Sequence, residues 1–200
     1  MLSFFRPRLI GGLLFLATGP LAALNCWAHP HVFMDYSLNF TVEGTVLKAI
    51  DVDMVLDPMT TTNLLNQYDT NGNGNFEGEE LTTIRQLLDD SMKEFDYFFF
   101  LLEHDDLQKL AKVEMSNLHL ENGVLGYHLH YLPARPINMP RNVELGFVDM
   151  ENYFDMQPVD PNPVTFTGKT TCTYRVIDPI EAEKRDLVAA KWFTFNCGKS

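Results

Sequence analysis

Residues 69–80 read Asp-Thr-Asn-Gly-Asn-Gly-Asn-Phe-Glu-Gly-Glu-Glu, and they meet every constrained position of the calcium-loop pattern D-x-[DN]-x-[DN]-G-x₅-E. A hard cation takes six to eight oxygens, so a short loop closing round it must offer one at nearly every second residue. Asp69, Asn71 and Asn73 would supply side-chain oxygens, and Asn75 its carbonyl. Glu77 would act directly or through water, and Glu80 as a closing bidentate carboxylate. Gly74 stands where the chain must turn sharply. Such a loop needs a helix on each side. After Asp57-Pro58, with Thr60, Thr61 and Thr62 as capping candidates, Leu64, Leu65 and Tyr68 mark one face of a short helix over 61–68. Leu81, Ile84, Leu87 and Leu88 mark a second helix from about Glu79. The alternative is an Asn/Gly-rich surface turn. No second loop of this pattern occurs, so Phe76 and the helix pair (57–93) must pack on something other than a partner hand.

The first residues read as an export signal: Arg6 and Arg8, an apolar stretch over 9–24 broken at Gly19-Pro20, and the exit Cys26-Trp27-Ala28. The stretch is too short and interrupted for a membrane span. Cleavage after Ala28 is expected. Acylation of Cys26 is the other reading, disfavoured by Asn25 in a place that wants a small residue. The remaining 29–200 suffice for one domain with its own core, and no linker divides them. Losing Arg6 and Arg8 moves the formal charge from −12 to −14. Such a surface repels nucleic acid and attracts cations. Cys172 and Cys197 are the cysteines left. In an oxidising compartment they form one disulfide, contributing about 3 kcal/mol by the chain-entropy model. The alternative keeps them as two thiols serving as soft metal ligands.

The rest is dominated by strand patterns. Val32, Met34, Tyr36, Leu38 and Phe40 alternate with polar neighbours, and after Glu43-Gly44 a second strand spans 46–56 with Ile50, Val52, Met54 and Leu56 on one face. The aromatic run 95–102 reads as a buried strand and 107–115 as extended. Residues 117–121 and 124–132 form a hairpin on Asn122-Gly123, a pair suited to a two-residue type I′ turn. Further strands are expected at 143–149, 164–168 and 171–177, and helical composition at 181–191. The expected fold is α+β: mainly antiparallel sheet, sandwich-like, with one inserted EF-hand-like helix–loop–helix.

In the hairpin, Glu121 should pair with Val124, His119 with Gly126, and Asn117 with His128. His119, His128 and His130 would then share one face, opposite Leu125, Tyr127, Leu129 and Tyr131. Clustered imidazoles suit zinc, copper, nickel or cobalt. The alternative is an ordinary solvated face, and a slip of one residue would dissolve the cluster. Cleavage after Ala28 would also leave His29 with its α-amine and ring nitrogen as one chelate. His31 would lie two residues on, with the hairpin histidines expected to help. Pro30 lacks a backbone N–H and so bars the square-planar mode through backbone amides. The other reading is a frayed terminus carrying two histidines.

His29-Pro30-His31-Val32-Phe33, Asp57-Pro58-Met59, Lys93-Glu94-Phe95-Asp96-Tyr97-Phe98, Leu129-His130-Tyr131 and Asn152-Tyr153-Phe154 together resemble a family of exported bacterial proteins, domain of unknown function one-thousand-and-seven. The resemblance implies a periplasmic component of an uncharacterised ABC-type transport system, often encoded near nickel/cobalt exporters. It supplies a setting rather than a mechanism. Three functions are carried forward. The first is a periplasmic accessory protein with structural calcium and histidines that handle a transition metal for a membrane transporter. The second is a calcium-stabilised interaction module without that metal. The third is a copper enzyme using the His29 chelate, which ranks last because no G-x-S-x-G, H-E-x-x-H or C-x-x-C signature occurs. Calcium near the 10⁻⁴–10⁻³ M regime is expected from so asparagine-rich a loop.

Overall fold

The computed structural model describes residues 31–139, 143–168, 171–177 and 191–198. The export segment, His29 and all but the last residue of the helical reading at 181–191 lie outside them.

Strict alternation of apolar and polar residues makes strands here, and the pairing follows the alternation. β1 (Val32–Glu43) and β2 (Val46–Leu56) form an antiparallel hairpin. After two helices, α1 (Pro58–Tyr68) and α2 (Gly78–Lys93), come β3 (Phe99–Glu103) and β4 (Asp106–Leu107). A long hairpin follows, of β5 (Leu110–Glu121) and β6 (Val124–Pro133). The remaining strands are β7 (Ile137–Asn138), β8 (Val143–Phe147), β9 (Phe154–Pro158), β10 (Val164–Thr167), β11 (Thr171–Val176) and β12 (Trp192–Gly198).

One sheet runs β10-β1-β2-β6-β5, with β7 on β2 and β9 on β1. The other runs β11-β12-β8-β3-β4. β9 and β10 lie parallel to β1, and every other pairing is antiparallel. The inward residues of the large sheet meet those of the small one through rings: Tyr36 on Phe147 at 4.7 Å, Phe40 on Phe195 at 4.4 Å, and Phe99 on Tyr131 at 4.3 Å between centroids. Offset and tilted pairs at such distances add to the burial of these side chains. The fold is therefore the α+β, sandwich-like arrangement expected.

The helices share that core. Ile84 and Met92 of α2 are buried, and Tyr127 of β6 donates its hydroxyl toward Met92 Sδ at 3.3 Å. Thr61 in α1 is fully buried, and its hydroxyl oxygen accepts from Leu125 N at 3.1 Å. The first helix is thus fastened directly to the strand that carries His128 and His130.

Several local expectations need correction. The first helix starts before the threonines: Asp57 is its cap, accepting from Met59 N at 2.8 Å and Thr60 N at 3.0 Å, with Pro58 in the first turn. Pro58 fixes its own φ and lacks the N–H that the first turn leaves unpaired, so the helix can begin there. The run 95–102 is not one strand. Asp96, Tyr97 and Phe98 take positive φ in a tight turn, and the strand begins only at Phe99. β7, β9 and β12 carry too short or irregular an alternation to be read in advance. The disulfide between Cys172 and Cys197 is formed, with Cα atoms 4.1 Å apart on directly paired residues of β11 and β12. That excludes the free-thiol reading.

Candidate metal centre

The outward face of β2 carries Asp51 and Asp53, because Ile50, Val52 and Met54 are turned into the core. On β6 the same logic puts Tyr127, Leu129 and Tyr131 inward and His128 and His130 outward. The β2–β6 register then decides the chemistry: Asp53 lies opposite His128, and Asp51 opposite His130. The side chains close on each other. His130 Nδ1 is 2.5 Å from Asp51 Oδ1, His128 Nε2 is 3.2 Å from the same oxygen, and His128 Nδ1 is 2.9 Å from Asp53 Oδ1.

Asp51, His128 and His130 each offer one ligand atom, and the three atoms lie within 4.8 Å of one another. All three residues are half-buried, which limits competition from water without closing the site. Two imidazoles with one carboxylate suit zinc, cobalt, nickel or copper, and three protein ligands leave a coordination position open. Asp53 would then hold the far nitrogen of His128, as outer carboxylates do for metal-bound imidazoles. Burial works against charge on His128, but the hydrogen bonds and charges of Asp53 and Asp51 outweigh it and hold its pKa above the ordinary histidine range. With carboxylates at both ring nitrogens, the metal-free ring favours its doubly protonated form.

The third hairpin histidine keeps the expected face but lies outside the converging group. The pairings of Glu121 with Val124 and His119 with Gly126 are as expected, but His128 faces Ser116, not Asn117. Between them β5 inserts one extra residue at Asn117, whose φ is 48°. That is a β-bulge, which re-aims every outward side chain beyond it. Glu114, rather than Met115, consequently lies opposite His130. His119 Nδ1 is held at 2.8 Å by the carbonyl of Asn117. Its ring lies over Gly126, where a Cβ would come within 2.8 Å of it. The glycine makes room for the ring, which shares the outward face of β6 with His128 and His130 but is not among the three residues whose ligand atoms converge.

His31 is exposed and stacks on Tyr153, with centroids 5.1 Å apart. It precedes Ser37, the β1 partner of Asp53, by six positions, so about 20 Å of strand separate it from the cluster. The expected help from the hairpin histidines at His31 is therefore not given by the register. Asp51 and Asp53 were missed as site residues. Their signal, two aspartates alternating with Val52 and Met54, was in view, but the neighbour of β2 was not.

In the 69–80 loop, Asp69 Oδ1 accepts from Gly72 N at 2.8 Å and Asn73 N at 3.2 Å, and Oδ2 from Gly74 N at 2.7 Å. Asn71 Oδ1 accepts from Asn73 N, and Asn73 Oδ1 from Asn75 N, both at 2.9 Å. Asn73 Nδ2 donates to Glu77 Oε1 at 2.7 Å. Gly72 and Gly74 take φ of 71° and 77°, which a side chain would resist.

A family model described as "Protein of unknown function (DUF1007)" matches residues 13–192, a span that includes both the histidine cluster and the loop. No curated protein and no solved structure matches the chain.

Proposed function

We propose, for a chain that belongs to the family of proteins of unknown function DUF1007, the role of an exported metal-binding accessory protein. It holds a divalent transition ion at Asp51, His128 and His130 and passes it to or from a membrane metal transporter. The observation that carries this reading is the convergence of those three ligand atoms within 4.8 Å of each other on a half-buried sheet face. Three ligands and an open position suit an ion that must leave again, whereas structural sites are closed by four. The acidic surface favours cation capture. The Cys172–Cys197 disulfide supports an oxidising compartment, as does the export signal read at 1–28. No helix among the described residues is long and apolar enough to cross a membrane.

The test is calorimetric titration of the mature protein at pH 7.5 with nickel, cobalt, copper and zinc, beside His128→Ala/His130→Ala. One ion per chain is expected, lost in the double variant. No binding by the intact protein sinks the reading, and undiminished binding by the variant moves the site elsewhere, to His29 and His31. A calcium-stabilised interaction module is the second reading. The ordered oxygens of the 69–80 loop favour it independently of the histidines.

A further inference from the structure

The geometry points to a calcium ion in the 69–80 loop that clamps the two helices onto the sheet rather than signalling, and this inference stands apart from the transition-metal reading. Its starting observation is Glu80. The residue is nine-tenths buried, and Oε1 accepts three hydrogen bonds from the start of the loop: Thr70 N at 2.8 Å, Thr70 Oγ1 at 2.6 Å and Asn71 N at 3.2 Å. Oε2 is buried with no hydrogen-bond partner. A buried carboxylate oxygen left without a partner is costly, and a cation is a group that satisfies it.

The rest of the loop fits the same occupant. Asp69 is fastened by the N–H groups of Gly72, Asn73 and Gly74, so the chain curls round its carboxylate. Asn71 and Asn73 use their side-chain oxygens to pin the next N–H but one, which places an oxygen at each alternate position. A carboxylate oxygen or amide oxygen has lone pairs for both a hydrogen bond and a cation. Hard oxygen donors in an adaptable loop take calcium. Magnesium demands a smaller, near-ideal octahedron and gives up its waters reluctantly.

A clamp is favoured over a sensor by what the hand already touches. Phe76 would ordinarily pair with the equivalent residue of a second hand; here it is buried in the main core with Ile84 and Met92. Opening the helices, as sensors do, would expose all three. The buried Thr61 hydroxyl would also have to leave Leu125 N. With Asp69, Glu77 and Glu80 as the acidic members, affinity belongs in the 10⁻⁴–10⁻³ M range of extracytoplasmic modules.

The experiment uses the intact exported chain and terbium, excited through Tyr68 beside Asp69. Terbium emission is expected, displaced by calcium with a midpoint in that range. Tm should rise by about 3–6 °C at tenfold excess over Kd, and less with equal magnesium. Glu80→Gln should lose emission and Tm response together, while His128→Ala/His130→Ala keeps both. Should Glu80→Gln fail to fold, Asp69→Asn takes its place. No emission and no Tm rise in the intact chain at about 10 mM calcium, ten times the upper end of the range, overturns the inference. So does a folded Glu80→Gln that responds fully. A large calcium-dependent loss of helix packing, read by hydrogen exchange in α1 and α2, overturns the clamp in favour of a sensor.

Discussion

The 69–80 loop draws its oxygens from one continuous stretch, whereas Asp51, His128 and His130 come from strands whose residues lie 77 and 79 positions apart. The first site needs only a local turn and two helices. The second exists only if β2 and β6 pair in one register, since a slip of a single residue turns both histidines into the core. The local site is correspondingly tied to stability, because its Phe76 and Ile84 belong to the core. The sheet site lies on the outer face, where its ligands can change without disturbing the packing beneath.

The sharpest way to break that contrast is at Phe76. Phe76→Ala should cost about 3–5 kcal/mol, read by chemical denaturation, and leave transition-metal stoichiometry unchanged below the transition. Loss of metal binding in the still-folded variant would mean that the two sites are one unit. Asp51→Ala is the converse. Because Asp51 Oδ1 meets both histidines, transition-metal affinity should fall by roughly 100-fold, with Tm nearly unchanged and calcium response intact. A large Tm loss would show the cluster to be a structural element of the sheet.

Thr61→Val probes the join between the regions. Its hydroxyl oxygen is the acceptor for Leu125 N, and orphaning a buried N–H costs about 1–3 kcal/mol. Faster hydrogen exchange at Leu125 should accompany the loss. A neutral result would detach α1 from β6.

The smallest effect concerns protons. The raised pKa of His128 means that metal must displace a proton that ordinary histidine would already have shed, so loading falls as pH drops through that raised value. Asp53→Asn should move the midpoint of metal loading to lower pH. For the metal-free fold the sign reverses. Stability from the protonated ring is complete below the unfolded pKa near 6.5 and is lost as pH rises through the folded value. A metal-loading midpoint unmoved by Asp53→Asn would remove Asp53 from the site.

Much of the architecture was legible for a plain reason. The alternation of Ile50, Val52 and Met54, and of Tyr127, Leu129 and Tyr131, states which side of each strand is buried, and Asn122-Gly123 fixes one turn. Such signals are local. The Asn117 bulge was not legible, because an extra residue leaves no mark on composition and shows only against the partner strand. The expected pairing of Asn117 with His128 accordingly gives way to Ser116, and Asp51 and Asp53 were passed over because the β2–β6 pairing leaves no local mark. Asp57 was overlooked as the cap because three threonines followed it, although a proline in the first turn already pointed there.

By itself, then, the sequence determined the loop with its oxygen donors, the inward faces of the long strands, the cysteines available for a bridge and the family. These are properties of neighbours along the chain, set by side-chain period, turn chemistry and ligand spacing. Only the tertiary structure decided that β2 lies beside β6, that a bulge puts Ser116 rather than Asn117 opposite His128, and that two aspartates close on two histidines. Strand pairing joins residues with no covalent proximity, so its chemistry appears only when the sheet is assembled.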